Sequence, residues 1–439
     1  MKGLTFKRGI HPNYNKESTS SKPIEVLMPK GELVFPMSQH IGAPCKPLVK
    51  KGDKVLVGQK IGDANGFVSS PIHSSISGVV KAVEERMTFK GVKDTCVVIE
   101  NDFEYEEADY MCENAKSSYE TLTKDELINI VKEAGLVGMG GAAFPTHVKL
   151  STPPDKEVEF IIINGAECEP YLTSDHRVML EESERIIEGL KILLHVFTKA
   201  TAVIGIEDNK PDALEKLTAL AEQTDRIKVV KLHTKYPQGS EKHLISAATG
   251  REVPSGKLPI DIGCMVYNID SMIAIWRTVT KGRPIMRRIV TVSGSGVKNP
   301  CNLKVRVGTS YRELLEHAGW DEENTIKIIS GGPMMGTAIS NIDIPVVKGT
   351  SAILCFTKKE ISGEKTSNCI RCGKCVEVCP MQLVPNTIHM EALNSKFEDF
   401  LKDNGMDCIE CGCCSYICPA KRELVQSIRT AKTAIRSKK

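Results

Sequence analysis

Two cysteine runs near the C-terminal end constrain the fold of this 439-residue chain more than any other feature. Each run has the spacing C-x2-C-x2-C-x3-C and is followed at once by a proline. The runs consist of Cys369, Cys372, Cys375 and Cys379, and of Cys408, Cys411, Cys414 and Cys418. In this pattern three thiolates wrap one [4Fe–4S] cluster and the fourth ligates the other cluster. We therefore assign the first cluster to Cys369, Cys372, Cys375 and Cys418, and the second to Cys408, Cys411, Cys414 and Cys379.

A pair of zinc knuckles is the alternative interpretation of these runs, but zinc knuckles use C-x2-C pairs at longer separations. The segment between the runs, residues 384–405, has a helical pattern and predicts a long helix that ends at Gly405. We therefore expect a helical dicluster ferredoxin domain rather than a compact β-rich one. Cys413 is a ninth thiol that we expect to pack beside a cluster, and the seven scattered cysteines are expected to be small buried side chains.

Length and composition limit what the rest of the chain can be. A chain of 439 residues is too long for one core, which predicts two to four domains. The net charge of +3 gives no indication of a nucleic-acid partner. The polar N-terminus has no secretory pattern, and no stretch approaches the roughly 18 apolar residues of a membrane span. We expect a soluble chain in a reducing compartment, which leaves docking on a membrane assembly open.

The middle of the chain predicts a doubly wound parallel sheet. A helix over residues 123–134 begins with a capping box and ends before Gly135, and a glycine-rich loop over residues 138–144 follows it. Such a loop exposes backbone N–H groups that suit a phosphate at a helix N-terminus, although a plain turn is equally consistent with it. Strands are predicted over 158–165, 201–208 and 228–233, with one long helix over 174–197 and a shorter one over 212–223.

Polar side chains follow each of these strands. Ligands of such sheets bind outside the carboxyl ends of the strands. The residues in question are Asn164, Glu167 and Glu169, then Glu207, Asp208 and Asn209, and finally Tyr236, Gln238 and Gly239. Capping alone explains many polar residues at strand ends, but the first group also lies near the glycine loop in the predicted fold.

The order of these motifs resembles a known family. The stretch GLVGMGGAAFPTHVK followed by NGAECEP resembles the flavin- and NADH-binding signature of the respiratory complex I flavoprotein subunit. With a barrel-like segment before it and two ferredoxin runs after it, the whole chain resembles the C subunits of Rnf electron-transport complexes. The resemblance implies FMN, two [4Fe–4S] clusters and NAD(H) as substrate. A flavin fits, because it can exchange a hydride with NAD(H) and single electrons with clusters.

The resemblance also implies two sets of site residues. The cofactor-binding set is Gly138, Gly140, Gly141, Ala142, Phe144, Lys149, Asn164, Tyr236, Gly239, Glu241 and Asn268. The candidate catalytic residues, expected near the isoalloxazine and the nicotinamide ribose, are Glu167 and Glu169. The loop would embrace the FMN phosphate, Lys149 would bind a phosphate or the NADH ribose, and Phe144 would stack on adenine or nicotinamide.

This chain departs from the complex I pattern in two places. Met139 stands where the complex I protein carries arginine, which weakens the expected phosphate binding. Glu241 stands where that protein has a pair of glutamates, so one acidic contact is in doubt. No family role carries over to His147.

Three flanking segments complete the chain. Residues 49–85 resemble the barrel-sandwich of biotinyl and lipoyl carriers, but the hairpin tip carries His73 and no lysine, which favours a docking or structural module over an attachment site. Residues 289–357 predict strand, helix, strand and resemble the β-grasp domain of the family; a ligand site there is the less favoured alternative. The basic tail, residues 421–439, suits either a solvated helix end or docking on anionic lipid or an acidic partner.

We therefore expect a multidomain α/β chain. Its predicted domains are a barrel-sandwich with an N-terminal arm over 1–118, an FMN/NADH domain over 119–288, a β-grasp (SLBB-like) domain over 289–357, and the ferredoxin domain with the basic tail over 358–439. The resemblance implies the NADH-reacting subunit of an ion-translocating ferredoxin:NAD⁺ oxidoreductase, peripheral at the cytoplasmic face of the inner membrane. Its partners would be the other subunits and, indirectly, ferredoxin. The alternatives are a cobalamin reductase of bacterial microcompartments and an iron–sulfur relay with a degenerate nucleotide site.

Overall fold

The computed structural model describes residues 3–109, 119–361, 363 and 365–437. The predicted domain boundary at residue 118 and the last two lysines of the basic tail lie outside the described residues. Among the described residues, no helix combines the length and the apolar character that a membrane span requires. In these residues the fold consists of four sheets, the helices that pack on them and a C-terminal group of helices.

The N-terminal part forms two small sheets. Their strands and the strand of the preceding arm are β1 (Ile24–Leu27), β2 (Leu33–Pro36), β3 (Lys46–Pro47), β4 (Lys54–Val55), β5 (Lys60–Asp63), β6 (Ile72–His73), β7 (Gly78–Met87) and β8 (Lys93–Asn101). One sheet has the order β2-β8-β7-β4 and the other β3-β5-β6. Phe35, Ile61 and Val97 belong to one buried cluster, so the core lies between the sheets as in a barrel-sandwich.

His73 does not lie at an exposed hairpin tip. The side chain is 2% exposed, and the surrounding segment 69–78 is buried throughout. The Ser75 hydroxyl donates to the Val307 carbonyl at 2.6 Å, and the Lys348 ammonium donates to the Pro71 carbonyl. The segment that carries the attachment lysine in carrier domains is therefore packed against other parts of this chain, which supports the structural role expected for it.

The middle part is a parallel sheet with helices on both faces. Its elements are α1 (Lys124–Glu133), α2 (Thr146–Leu150), β9 (Phe160–Gly165), α3 (Ser174–Glu181), α4 (Ser183–Val196), β10 (Thr201–Glu207), α5 (Pro211–Ala221), β11 (Ile227–Leu232), α6 (Glu241–Thr249), β12 (Cys264–Asn268) and α7 (Ile269–Lys281). The order β11-β10-β9-β12 is parallel throughout. In β9, Ile161 and Ile163 join the core under α4 and α7, whereas Ile162 faces Leu244 of α6. This alternation confirms the doubly wound prediction.

The prediction of a single helix over residues 174–197 is wrong. The helix breaks at Glu182, whose φ of −129° and ψ of 25° are not helical. The Glu182 carboxylate lies 3.3 Å from the Arg277 guanidinium of α7. The backbone of α4 also packs closely on α7, because a Cβ on Gly189 would lie 2.1 Å from the Met272 carbonyl oxygen. The break thus allows α4 to follow α7 while α3 keeps its own direction.

The β-grasp part contains β13 (Arg287–Ser293), β14 (Cys301–Arg306), α8 (Tyr311–His317), β15 (Lys327–Ser330), β16 (Thr337–Ile339) and β17 (Ala352–Phe356). The sheet order is β1-β14-β13-β17-β15-β16. The predicted strand–helix–strand order is confirmed. The edge strand β1 comes from the N-terminal arm and pairs in parallel with β14, so the arm extends beyond its own sheets.

The C-terminal part is helical, as predicted. It consists of α9 (Lys374–Glu377), α10 (Pro385–Leu393), α11 (Phe397–Lys402), α12 (Cys413–Ile417) and α13 (Leu424–Arg436). The long helix expected between the cysteine runs is two helices, separated where Ser395 has φ +54°. Gly405 is not the expected C-cap. Asn404 takes the left-handed conformation with φ +57°, and Gly405 leaves room for the Phe400 ring, which a Cβ would approach to 2.4 Å.

Candidate flavin and iron–sulfur site

Two asparagines mark the carboxyl edge of the parallel sheet. Asn164 is the residue before the last one of β9, Asn268 is the last residue of β12, and the two are partners in the strand register. The Asn164 amide donates to the Gly239 carbonyl at 2.8 Å. The Asn268 side chain caps α7 by accepting from the Asp270 N–H at 2.9 Å and donates to the Asp175 carboxylate at 2.7 Å. The structure therefore brings together three segments that are distant in sequence.

The glycine loop lies beside this edge. It closes as a hairpin, with the Gly138 N–H bonded to the Phe144 carbonyl at 2.8 Å and the Thr146 N–H to the Leu136 carbonyl at 2.9 Å. Gly140 lies next to Asn268, since a Cβ there would be 3.4 Å from the Asn268 Cβ. Gly141 has φ +103°, a conformation that favours glycine.

The exposed backbone of this loop, rather than a helix N-terminus, faces the site. The tip residues Gly140, Gly141 and Ala142 are exposed, whereas Phe144 is half-buried. The following helix has only five residues, Pro145 precedes it, and its first N–H is already bonded within the hairpin. The expectation of a phosphate on that helix N-terminus is therefore corrected.

Met139 is buried, and an arginine from another domain supports the loop at this point. The Arg288 guanidinium donates to the Met139 carbonyl at 3.0 Å and pairs with the Asp270 carboxylate at 2.7 Å. It also donates to the Thr350 carbonyl at 3.0 Å. Arg288 is 3% exposed, so this cation holds the loop backbone from behind and does not replace the arginine that the loop lacks.

Lys149 lies at the outer side of the site. The ammonium donates to the Val266 carbonyl at 2.9 Å, lies 3.3 Å from the Glu241 carboxylate and stands 5.6 Å from the centre of the Tyr267 ring. Its neighbour His147 has a structural role, since a ring nitrogen lies 3.0 Å from the Phe67 carbonyl oxygen of the barrel-sandwich. The structure thus brings together Lys149 and Glu241, two residues of the predicted cofactor-binding set.

Glu167 is a buried carboxylate that caps α3. It has φ +48° and accepts hydrogen bonds from the Asp175 N–H at 2.6 Å and the His176 N–H at 3.3 Å. A carboxylate at this position is favoured by the helix dipole. Burial, followed by the Glu167 charge, raises the pKa of Asp175 to about 7.

Glu169 points toward the β-grasp and cluster domains. The carboxylate accepts hydrogen bonds from the backbone N–H groups of Met334 and Met335, both at 3.0 Å, and the Tyr236 hydroxyl lies at 3.4 Å. Burial raises the pKa of Glu169 to about 7, although both backbone donors oppose that shift. The Tyr236 hydroxyl donates at 2.7 Å to the carbonyl of Cys411, a predicted cluster ligand. Glu169 and Tyr236 therefore connect the sheet edge to the second cysteine run.

The N-terminal arm contributes a buried cation that the sequence analysis missed. The Lys16 ammonium donates to the carbonyls of Glu167 at 2.9 Å and Glu169 at 3.0 Å, and also to that of Leu172. It lies 3.9 Å from the Glu167 carboxylate, and burial lowers its pKa. Lys16 thereby fixes the turn that carries both candidate glutamates.

Several polar atoms buried near this edge have no hydrogen-bond partner within the described part of the chain. Both amide atoms of Gln238 and the Tyr14 hydroxyl are among them. One carboxylate oxygen of Glu207 is another, although the buried Lys210 ammonium lies 3.6 Å from it. Gln238 lies between Tyr236 and Gly239, and Glu207 ends β10. Unsatisfied buried polar atoms are costly unless a ligand or water completes them. With the exposed loop backbone and the Lys149 ammonium, they fit a phosphate-bearing, hydrogen-bonding cofactor such as FMN.

The cysteines of the predicted second cluster converge. One small cavity is lined by Cys413 and by the four predicted ligands of this cluster, namely Cys379, Cys408, Cys411 and Cys414. Cys413 is fully buried there, as expected of a thiol that packs beside the cluster. Burial raises the pKa of Cys408 to about 11. Four thiols around one cavity fit a cluster, each binding a different iron.

The cysteines of the predicted first cluster lie at the surface. Cys369 and Cys372 are exposed, and Cys375 and Cys418 are half-buried. Among the described residues, no three His, Cys, Asp or Glu side chains are placed to share a single metal ion. In zinc knuckles four ligands meet at one ion, whereas each thiolate of a [4Fe–4S] cluster takes a separate iron. The six scattered cysteines that the structure describes are buried, as expected.

Comparison with known proteins agrees with this arrangement. Four family models match in order: the RnfC barrel sandwich hybrid domain over residues 4–104, the Nuo51 FMN-binding domain over 131–277, the SLBB domain over 289–338 and the 4Fe-4S dicluster domain over 368–421. The C subunit of the Na⁺-translocating ferredoxin:NAD⁺ oxidoreductase complex of Acetobacterium woodii is 48% identical, with 99% of this chain and 98% of that protein covered. This chain belongs to the RnfC family.

Other RnfC proteins extend the comparison. The C subunit of the proton-translocating ferredoxin:NAD⁺ oxidoreductase complex of Clostridium ljungdahlii is 46% identical, with 99% of this chain and 94% of that protein covered. The C subunit of the ion-translocating oxidoreductase complex of Vibrio cholerae is 39% identical, and the match covers 92% of this chain but only 52% of that protein. This chain therefore corresponds to about half of that longer relative.

A solved structure shows the same fold at low identity. An NAD⁺-reducing [NiFe]-hydrogenase in the H₂-reduced state matches with a TM-score of 0.50 and 15% identity. The match covers 73% of this RnfC chain and 62% of the hydrogenase chain. At this identity the match supports the fold alone. RnfC membership confirms the expected fold class, electron-transport function and place in an ion-translocating oxidoreductase complex.

Proposed function

We propose that this chain is the NADH-reacting subunit of its complex and that it binds FMN at the sheet edge and two [4Fe–4S] clusters on the cysteine runs. FMN, when bound, supplies the exchange between the two-electron chemistry of NAD(H) and the one-electron chemistry of the clusters. The contact of Tyr236 with the second cysteine run is the observation that carries this proposal. It connects the predicted flavin site to the predicted cluster ligands within one chain.

The residues at the edge have separate tasks in this proposal. The backbone of Gly140, Gly141 and Ala142 receives the FMN phosphate, and Asn164 and Asn268 orient the flavin. Lys149 and Glu241 position NAD(H) at the outer side, with Phe144 as a stacking surface. Glu169 can hold a proton near neutral pH, because burial raises its pKa to about 7. Glu167 is a positioning residue, since its carboxylate is occupied by the N-terminus of α3.

The two runs have different places in the electron path. The second run lies against the sheet edge, so the cluster held by Cys408, Cys411, Cys414 and Cys379 is the one next to the flavin. The first run, with Cys369 and Cys372 at the surface, faces the next redox partner. That partner would be another Rnf subunit, with ferredoxin reached through it, and the chain would be peripheral at the cytoplasmic face of the membrane.

RnfC membership favours this proposal over a cobalamin reductase. The iron–sulfur relay remains the rival to test, since Met139 replaces the loop arginine. The experiment is anaerobic reconstitution of the full chain, followed by iron and flavin analysis and by absorbance changes on addition of NADH. We expect about eight irons, bound FMN and bleaching by NADH. Eight irons without flavin and without a response to NADH would establish the relay instead.

A matched pair of variants locates the NADH site. Lys149→Ala removes the ammonium next to Glu241, and Lys199→Ala removes an exposed ammonium from a surface pair with Glu157. We expect the first variant to need about tenfold more NADH for half-maximal bleaching, the usual effect of losing one charge-assisted contact. The second should behave as wild type. Equal behaviour of the two variants would contradict the position of NADH.

A further inference from the structure

A second cavity with strongly positive walls lies behind the glycine loop, whose buried Met139 is among its lining residues. Its volume is about 670 Å³, within the range of small-molecule pockets. Helix α7 forms one wall with Ile273, Trp276 and Arg277, and the ends of β13 and β14 form another with Arg287 and Arg306. None of the residues predicted to bind FMN or NAD(H) lines it.

Cationic side chains outnumber carboxylates in the lining. Six arginines and lysines line the cavity, against two acidic residues: Arg185, Arg277, Lys281, Arg283, Arg287 and Arg306, and Glu107 and Asp270. Both acids already have partners. Glu107 pairs with Arg283 at 3.1 Å, and Asp270 pairs with the buried Arg288 at 2.7 Å. The neighbouring Glu182 is shared among Arg185, Arg277 and Lys304.

Two arginines stand directly opposite each other in the sheet. Arg287 of β13 and Arg306 of β14 are register partners in an antiparallel pair, and Lys304 lies two residues along on the same face. Like charges in this relation destabilise a sheet. Within the described residues, the Arg287 side chain has no hydrogen bond or ion pair that would offset the repulsion. Arg287 is exposed at the start of β13. Partial burial of the guanidinium, then Arg277 and Arg283, lower the pKa of Arg287, whereas Glu107 opposes that shift.

Arg306 has unused hydrogen-bonding capacity in the wall of the cavity. It is 8% exposed, its guanidinium donates to the Ser75 carbonyl and stacks 4.3 Å from the centre of the Tyr105 ring. Its Nε is buried and has no partner within the described residues. A buried guanidinium N–H without an acceptor is costly, and phosphate oxygens match its geometry well.

We propose that this cavity binds an organic phosphate of nucleotide size, with its phosphate groups on Arg287, Arg306 and Arg277. The apolar side chains of Ile273, Trp276 and Met286 provide a wall for the organic part. The cavity volume favours a small molecule over an acidic protein segment. This site is separate from the proposed NADH site and does not depend on it.

The test uses the full chain with Trp320→Phe as background, so that Trp276, the other of the two tryptophans, reports on the cavity. Inorganic pyrophosphate and ADP are titrated at low salt, with sodium chloride of equal ionic strength as the blank. We expect saturable fluorescence changes with both ligands. Arg287→Ala should weaken both by at least about tenfold, because a charge-assisted phosphate contact is lost.

Two control variants separate the outcomes. Arg312→Ala removes an exposed arginine that pairs with Asp343 outside the cavity, and Lys149→Ala changes the proposed NADH site. Both should bind the probes as the background protein does. The proposal is overturned if the background protein shows no saturable change, if Arg312→Ala weakens binding equally, or if Lys149→Ala abolishes the signal while Arg287→Ala keeps it.

The free protein gives an independent readout. Since Arg287 faces Arg306 and its side chain has no partner within the described residues, Arg287→Ala should unfold at the same or a higher temperature than the background protein without ligand. Pyrophosphate should raise the unfolding temperature of the background protein but not that of Arg287→Ala. A free variant that unfolds at a clearly lower temperature would assign Arg287 a structural role and count against the site.

Discussion

The two cysteine runs have the same spacing but opposite surroundings. The second run lies in the interior, with Cys411 and Cys414 buried and the backbone of Cys411 held by Tyr236. Gly412 also fits closely against the β-grasp domain, since a Cβ there would lie 3.0 Å from the Met334 carbonyl oxygen. The first run has Cys369 and Cys372 at the surface. The cysteine spacing alone therefore does not determine the position of a cluster in an electron path. That position depends on how each run packs against the rest of the chain.

The largest expected effect separates the two runs by function. Cys411→Ser and Cys372→Ser should each lower the iron content from about eight to about four. In Cys372→Ser the second cluster remains next to the flavin, so NADH should still bleach the iron–sulfur absorbance. In Cys411→Ser the remaining cluster is the distant one, and its reduction by NADH should be lost or greatly slowed. Anaerobic stopped-flow absorbance measures both.

Circular dichroism serves as the control for this pair. Metal binding contributes folding free energy in such domains, so both variants should lose part of the helical signal of the C-terminal domain. If NADH reduced the remaining cluster equally fast in the two variants, the claim that only the second cluster lies next to the flavin would be contradicted. A full iron count in either variant would contradict the ligand assignment itself.

Much of this contrast could not be predicted from the sequence. Local patterns were sufficient for the turn of the glycine loop and the capping box of α1, because each depends on residues close in sequence. The assignment of the cluster ligands stays a prediction. The break at Glu182 lies against Arg277, which is distant in sequence. The role of Gly405 depends on how the nearby Phe400 ring packs, which a C-cap pattern does not show.

For the site as well, the sequence indicated the local segments but not the residues that come from distant parts of the chain. Its loop and strand-end residues come from recognisable segments, but Lys16 and Arg288 reach them from the N-terminal arm and the β-grasp domain. Neither residue belongs to a local sequence motif that would identify it as part of the site. The N-terminal arm contains many polar residues, and nothing in its sequence distinguishes Lys16 from the others.

A smaller effect tests how the second run is held. Tyr236→Phe removes the hydroxyl that donates to the Cys411 carbonyl at 2.7 Å in a buried setting. Leaving that carbonyl without its donor should lower the free energy of unfolding by about 1 to 3 kcal/mol. Tyr416→Phe is the matched control, because Tyr416 is 49% exposed. Chemical denaturation of the anaerobic holoprotein measures both, and equal stabilities would show that the hydroxyl contributes nothing to docking.

The smallest expected effect concerns the first run, which the N-terminal arm holds from outside. The Arg8 guanidinium donates to the Val376 carbonyl at 2.8 Å, and the Gly9 N–H donates to the Val378 carbonyl at 3.1 Å. The Arg8 contact is exposed, so Arg8→Ala should cost only about 0.5 kcal/mol in global stability. Lys7→Ala, next to it in the same arm, is the control.

The informative measurement for Arg8→Ala is the rate of iron loss to a chelator. Loosening the arm should speed the release of iron from the first cluster, whose ligands Cys369 and Cys372 are already exposed, and leave the second cluster unchanged. The release curve should therefore separate into a faster first half and an unaltered second half. If both halves accelerate together, the two clusters unfold as one cooperative unit, and the surface position of the first run gives it no separate stability. The contrast between the runs would then concern electron transfer alone.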